Sequence, residues 1–485
     1  MMTDNLNRVI ANLTKADSQI HFLANKQLTS IDYQDLRSLV LGNAKYFSSL
    51  GITKDTKVLI SLSTNLEHII TFLALVALGA LPVSVKPAKI DSSDYNLYIA
   101  NISNRFAIDW LYDGLPMLPD LDSFKWRADA KSRDLAIIAE VESDDLVFVQ
   151  FSSGSTSSPK AIPISHRNLM ANLSAILAVD KRSSSSVGFN FLPLSHDMGL
   201  VAGFLSNLIY QNTLLLAKPT EFLRQPVNSL IIANDLNAEV TAMPDFALKY
   251  LHKSLSMPTS RKLPPNLLAN FKTIYCGAEP ISEITVTSFL HTAQKFSLTP
   301  NALFFSYGLA EATLMVTGRR FDTIANSFYV HSPHQITACL GLPLGGAEVR
   351  ISQVNTKEGE KETGIIQIRS PSLFAGYWQD SPRRQLHDWF DTGDYGLIRD
   401  GNLYVCGRAK DTIIVNGENI FAVDIENSLA SLPEIKNSLV MIEEDKFYIL
   451  AISSGGYELK PQGIRTFVCN NFGVAPQAVI SGSSN

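Results

Sequence analysis

The chain has 485 residues, 46% of them hydrophobic and 18% charged, with a formal net charge of −5 and both signs mixed along its length. This is the profile of an ordinary globular protein with room for two to four domains of roughly 100–200 residues, and it lacks the basic face that a nucleic-acid partner would require. Cys276, Cys339, Cys406 and Cys469 share no CxxC spacing, so a disulfide scaffold or zinc site is not expected and a reducing cytoplasm is.

The first eighteen residues are polar and lack the apolar segment of a secretory signal. Residues 34–50 read as an amphipathic helix, 57–62 as a short apolar strand, 65–78 as a helix and 81–85 as a strand, which together make a βαβ unit. The apolar run 68–85 is broken by Gly79 and Pro82, so it reads as buried helix plus strand and not as a membrane span. Residues 146–151 form a buried strand that leads into a Ser/Thr/Gly-rich loop. A helix is predicted over 166–179, a strand over 189–194, then a turn at SHDMGL and another helix. From residue 348 alternating β segments separated by charged turns indicate a small β-subdomain. Beyond residue 410 a strand (TIIV), a helix over 423–432 and a strand over 446–454 indicate a small α+β unit. The alternation as a whole predicts an α/β protein with largely parallel sheets.

The loop reads SSGSTSSPK from Ser152 to Lys160. Small residues around Gly154 let backbone N–H groups converge on an anion. Ser153, Ser155, Thr156 and Ser157 add hydroxyl donors, and Lys160 adds positive charge. The spacing is not that of a Walker loop. A flexible surface loop of the same composition is the plain alternative, and the position directly after a buried strand favours the phosphate cradle.

The segment resembles the phosphate loop of the adenylate-forming, acyl-activating (AMP-binding) superfamily, with Ala161 standing where that family usually has Gly. Further motifs follow in family order: CGAEP at 276–280, YGLAEAT at 307–313, FDTGD at 390–394 and GRAKDTIIVNGENI at 407–420. The resemblance implies a large N-terminal domain over 1–409, built of two α/β subdomains plus a β-subdomain at about 320–409. A small, truncated α+β C-terminal domain over 410–485 would follow, with Lys410 as the hinge. It also implies ATP and Mg²⁺. Gly277, Ala278 and Glu279 would lie beside the adenine, and Tyr307, with Gly308, Ala312 and Thr313, would form its platform. Asp394 would bind the ribose hydroxyls and Arg408 the ribose or α-phosphate. Lys160, Glu311 and Arg408 would act in catalysis, with Glu311 on the metal, which suits an Mg²⁺ held by one or two carboxylates plus phosphates.

The segment LPLSHDMGL, residues 192–200, most resembles fatty acyl-AMP ligases. His196, Asp197, Met198 and Gly308 are candidates for the acid pocket. Asp197 and Asp245 are also possible partners for an amine, so an amino acid remains open. His196 could equally be a buried, hydrogen-bonded histidine. The expected reaction activates a fatty or other apolar carboxylic acid as acyl-AMP and passes it to an acyl carrier protein. Residues 319–340 are too few for the full insertion those ligases carry, which keeps coenzyme A open as acceptor. No lysine follows Lys460, where the family carries a late catalytic one. A weakly active nucleotide- or acyl-binding homologue, working beside a larger biosynthetic assembly, is therefore the third reading.

Overall fold

The computed structural model describes residues 4–87, 93–151, 160–332, 335–355, 363–378, 384–385, 387–415, 418–443, 446–454 and 457–483. The predicted α/β alternation becomes two large sheets. The first has six strands, in the order Asp122–Phe124, Trp110–Tyr112, Lys57–Ser61, Leu81–Val85, Leu146–Phe151 and Ala161–Ser165. All neighbouring pairs are parallel except the last. That last strand was not expected, because AIPIS is short and contains Pro163. Phe151 pairs with Ala161, so residues 152–159 join a hairpin, and Lys160 stands at its foot.

The second sheet has nine strands. Six central ones are parallel: Leu303–Gly308, Thr273–Cys276, Val240–Ala242, Val187–Asn190, Thr213–Ala217 and Gln19–Ala24. Antiparallel strands close both edges. Helices cover the sheets, as parallel pairing demands. Some start on a local signal: Asn65 accepts from the His68 N–H at 2.8 Å to open Leu66–Ala77, and a Ser165/Asn168 capping box opens His166–Asp180. One apolar core runs through both sheets.

The strand predicted over 189–194 ends at Asn190. The Asn190 side chain turns back, accepting from Leu192 N at 2.9 Å and donating to Gly199 O at 3.1 Å. The helix after it is a π-helix over Met198–Leu205, a form often found at functional sites. Gly199 lets it approach the preceding turn, since a Cβ there would lie 2.1 Å from Pro193 O.

Glu348–Asn355, Thr363–Arg369, Phe390–Arg399 and Asn402–Arg408 form a four-stranded antiparallel sheet. A short turn, Ala409–Asp411, leads to the hairpin Thr412–Val415/Glu418–Phe421. Beyond it, helices Ala422–Ala430 and Pro461–Phe472 pack around Ile425, Leu429, Ile449 and Val468 in a separate core beside a three-stranded sheet. The strand Ile435–Glu443 of that sheet was missed, because its exposed face carries Leu439 and Met441 and blurs the alternation. Among the described residues no helix is long and apolar enough to cross a membrane.

Candidate active site

The site forms where the parallel strand Leu303–Gly308 ends, the position at which open α/β sheets usually bind ligands. The chain turns sharply there. A Cβ on Gly308 would sit 1.8 Å from Leu314 O, so only glycine fits. Thr313 is held at φ +69°, with its hydroxyl donating to Ser372 O at 2.7 Å. From the neighbouring helix, Asn172 donates to Ala312 O (3.2 Å) and Met315 O (2.8 Å) and accepts from Met315 N (3.1 Å). The turn that carries Glu311 is thus fixed by groups distant in sequence.

Glu311 Oε1 accepts from the Tyr377 hydroxyl at 2.8 Å, and the Lys160 ammonium lies 4.6 Å from the Tyr377 ring centre, within cation–π range. The ring therefore links the foot of the Ser/Gly loop to the Glu311 carboxylate. Next to it, the Tyr307 hydroxyl donates to Asp394 Oδ2 at 2.6 Å and Arg408 Nε to Asp394 Oδ1 at 2.8 Å. Asp394 is buried, and that burial raises its pKa against the opposing pull of Arg408. Tyr307 is also buried, and its phenol is pushed well above its usual range by burial and the Asp394 charge. Each Asp394 oxygen keeps a second lone pair for a ligand hydroxyl.

A cleft open to solvent lies here, walled by Met198, Ala202, Tyr275, Ala278, Leu314 and Met315, with Asp197, Ser306, Tyr307 and Gly308. The Asp197 pKa is pushed up to about 6, first by burial and further by the Glu311 charge. Glu311 also raises Asp394. Glu311 thus acts electrostatically on both Asp197 and Asp394.

Of the residues singled out from sequence, Lys160, Glu311, Tyr307, Gly308, Asp394, Arg408, Asp197 and Met198 come together. Ala312 is buried behind the turn. Gly277 packs where a Cβ would meet Ser306 O at 2.8 Å, and Ala278 takes φ +67° to turn the loop. Glu279 faces elsewhere, accepting from Phe246 N at 2.6 Å. Asp245 is not brought to the cleft: Ser282 N (2.9 Å) and the Thr285 hydroxyl (3.0 Å) occupy its two oxygens, so it ties two helices together. His196 sits half-buried in the adjacent turn, its pKa lowered by burial and by Lys86, and does not line the cleft. Lys410 lies in the turn between the two units. Ser152, Ser153, Gly154, Ser155, Thr156 and Ser157 lie outside the described residues. Tyr377, Tyr275, Ser306, Leu314 and Met315 were missed. Tyr377 alone left a faint signal, a hydroxylated aromatic after Gly376 in FAGYW.

The AMP-binding enzyme family matches residues 12–378. A medium-chain-fatty-acid–[acyl-carrier-protein] ligase, JamA of Moorena producens, is 30% identical over 332 residues, covering 62% of this chain and 55% of that ligase. The chain thus spans little more than half of that relative. The long-chain-fatty-acid–AMP ligase FadD28 of Mycobacterium bovis is 25% identical over 90% of this chain and 84% of its own. A solved structure from work on the fatty acyl-adenylate ligases of E. coli and L. pneumophila shares the fold, with a TM-score of 0.84 at 23% identity, over 99% of this chain and 94% of that one. With this match over most of its length, the chain belongs to the AMP-binding enzyme family.

Proposed function

We propose that this chain activates an apolar carboxylic acid with ATP, forming acyl-AMP and pyrophosphate, and then transfers the acyl group to the thiol of an acyl carrier protein. The observation that carries this reading is the pair of linked polar groups, Lys160–Tyr377–Glu311 and Tyr307–Asp394–Arg408, beside an apolar cleft that Tyr307 lines. The similarity to JamA, a medium-chain-fatty-acid–[acyl-carrier-protein] ligase, and to FadD28, a long-chain-fatty-acid–AMP ligase, supports it.

An ionised carboxylate attacks the α-phosphorus. The new O–P bond forms as the bond to the β-phosphate oxygen breaks, and pyrophosphate leaves with the electron pair. No general base is required, so the protein's task is positioning and charge neutralisation. The ribose hydroxyls donate to Asp394, and Arg408 with its fixed donor fork faces the ribose and α-phosphate. Lys160 neutralises charge on the phosphates. Among the described residues no three metal-ligating side chains cluster, and Glu311 with the nucleotide's own phosphates is a fitting set for Mg²⁺. Bound there, Mg²⁺ would screen phosphate charge. We place the boundary between units 1–409 and 410–485 at Lys410, the hinge about which the second would turn.

ATP–pyrophosphate exchange over a panel of acids tests the activation step. Exchange that depends on an apolar acid supports it, and exchange no greater than in an acid-free control overturns it. Thioester formed on a phosphopantetheinylated carrier protein, but not on coenzyme A, supports the assigned acceptor; the reverse result makes the chain a coenzyme-A ligase.

A further inference from the structure

Behind the cleft lies an ion pair with no access to solvent. The Arg182 and Asp180 side chains are 1% and 0% exposed and meet at 2.6 Å. Buried pairs of this kind rarely add net stability against apolar replacements. This one reaches the cleft wall from two directions. The Tyr275 hydroxyl donates to Asp180 Oδ2 at 2.9 Å and lies 3.3 Å from Ile176 O. Arg182 Nη1 donates to Ser206 Oγ at 2.8 Å, and Ser206 in turn donates to the Ala202 carbonyl. Tyr275 and Ala202 both face the cleft.

Strand register gives the depth. Tyr275 is level with Phe304, three residues back from Tyr307 on the adjoining strand, which is about 10 Å below Tyr307 at ~3.3 Å per residue. The Tyr275 ring is further wedged edge-on against Phe304, with centroids 5.4 Å apart. A hydrocarbon tail going deeper would have to displace this ring and strip a hydrogen bond from a buried ion pair, a costly exchange.

We propose that Tyr275, pinned from behind by the buried Asp180–Arg182 pair, is the floor of the acid cleft and restricts this chain to short and medium apolar acids of about ten carbons or fewer, the length that ~10 Å of depth admits. This rests on the adenylation reading and narrows its substrate class. Inside the cleft each added methylene tightens binding about fourfold, and past the floor the gain stops.

The test uses straight-chain saturated acids from four to sixteen carbons in ATP–pyrophosphate exchange, together with the matching acyl-sulfamoyl-adenosine analogues in calorimetry, which needs no turnover. In the unmodified chain Kd is expected to fall with length up to about ten carbons and rise beyond. Tyr275→Ala should shift the optimum several carbons longer. Ala202→Leu, which adds bulk to another residue of the cleft wall, should shift it shorter. Thermal unfolding of each variant identifies any that fails to fold, and the two opposed shifts do not depend on the same substitution. An optimum at fourteen or sixteen carbons in the unmodified chain overturns the proposal, as do unshifted profiles in folded variants or a chain that binds none of the analogues. A length cut-off in calorimetry without any exchange sustains the floor and overturns only the catalytic reading.

Discussion

Tyr377 illustrates how a single side chain can serve two charged groups. Its hydroxyl holds Glu311, and its ring lies under Lys160. Tyr377→Phe keeps the ring and removes only the hydrogen bond, so Glu311 should lose orientation while Lys160 keeps its seat. The expected result is an apparent Mg²⁺ requirement raised about tenfold, the equivalent of ~1.5 kcal/mol for a hydrogen bond to a charged group. Titrating Mg²⁺ in the exchange assay reads this directly, and an unmoved titration curve would remove the positioning role. Glu311 itself was legible from YGLAEAT because its turn neighbours are contiguous. Tyr377 was not, because its partner lies 66 residues away.

Among the elements, the helix His166–Asp180 organises most of the site. Its Asn172 satisfies three backbone groups of the turn around Glu311. Asn172→Ala would leave buried groups unpaired, at roughly 1–3 kcal/mol each. Denaturant unfolding should show a loss of about 3 kcal/mol, and exchange activity should fall with it. Full stability in this variant would mean that the turn holds itself. The same helix begins at His166, whose Nδ1 accepts from Leu6 N at 3.1 Å. Burial lowers the His166 pKa from 6.5 to about 4. The folded state thus holds the neutral ring, and this stabilisation is complete above pH 6.5 and is lost as pH falls toward 4. His166→Gln should be less stable at pH 7.5 and lose less stability on acidification, by about 3 kcal/mol across that window. Parallel slopes for the two proteins between pH 7 and 4.5 would show that other groups control the acid limb.

At the scale of the molecule, the C-terminal unit docks on the β-subdomain through Phe421 and Val423, which join Tyr395, Leu397, Tyr404, Cys339 and Cys406 in one apolar cluster. Gly407 lies beneath the Phe421 ring, where a Cβ would be 2.7 Å away. Asp424 is buried beside this contact and bonded to Gln335. Burial raises its pKa from 3.8 to about 7. A raised folded pKa means that the docked state prefers the protonated acid. Its stabilisation is complete below pH 3.8 and is lost as pH rises through 7. Asp424→Asn should therefore stabilise the chain at pH 8, by on the order of 1–3 kcal/mol, with the difference shrinking toward pH 5. Unfolding at the two pH values checks this, and limited proteolysis near residues 409–412 reports whether the docked contact is what tightens.

The linear sequence determined the α/β class, the order of the motifs and most of the residues around the cleft. Each of those is encoded locally: strand and helix periodicities, and motifs of five to fourteen contiguous residues such as YGLAEAT and FDTGD. Only the tertiary structure decided which carboxylates face the cleft. Asp197 and Asp245 were equal candidates in the sequence, yet one lines the cleft and the other is spent on Ser282 and Thr285. It alone also brought Tyr275 to Asp180 across 95 residues and showed that a strand, Ala161–Ser165, precedes the expected helix after the Ser/Gly loop. The physical reason is that convergence depends on sheet register and helix packing, in which residues far apart become neighbours, and no local pattern carries that information.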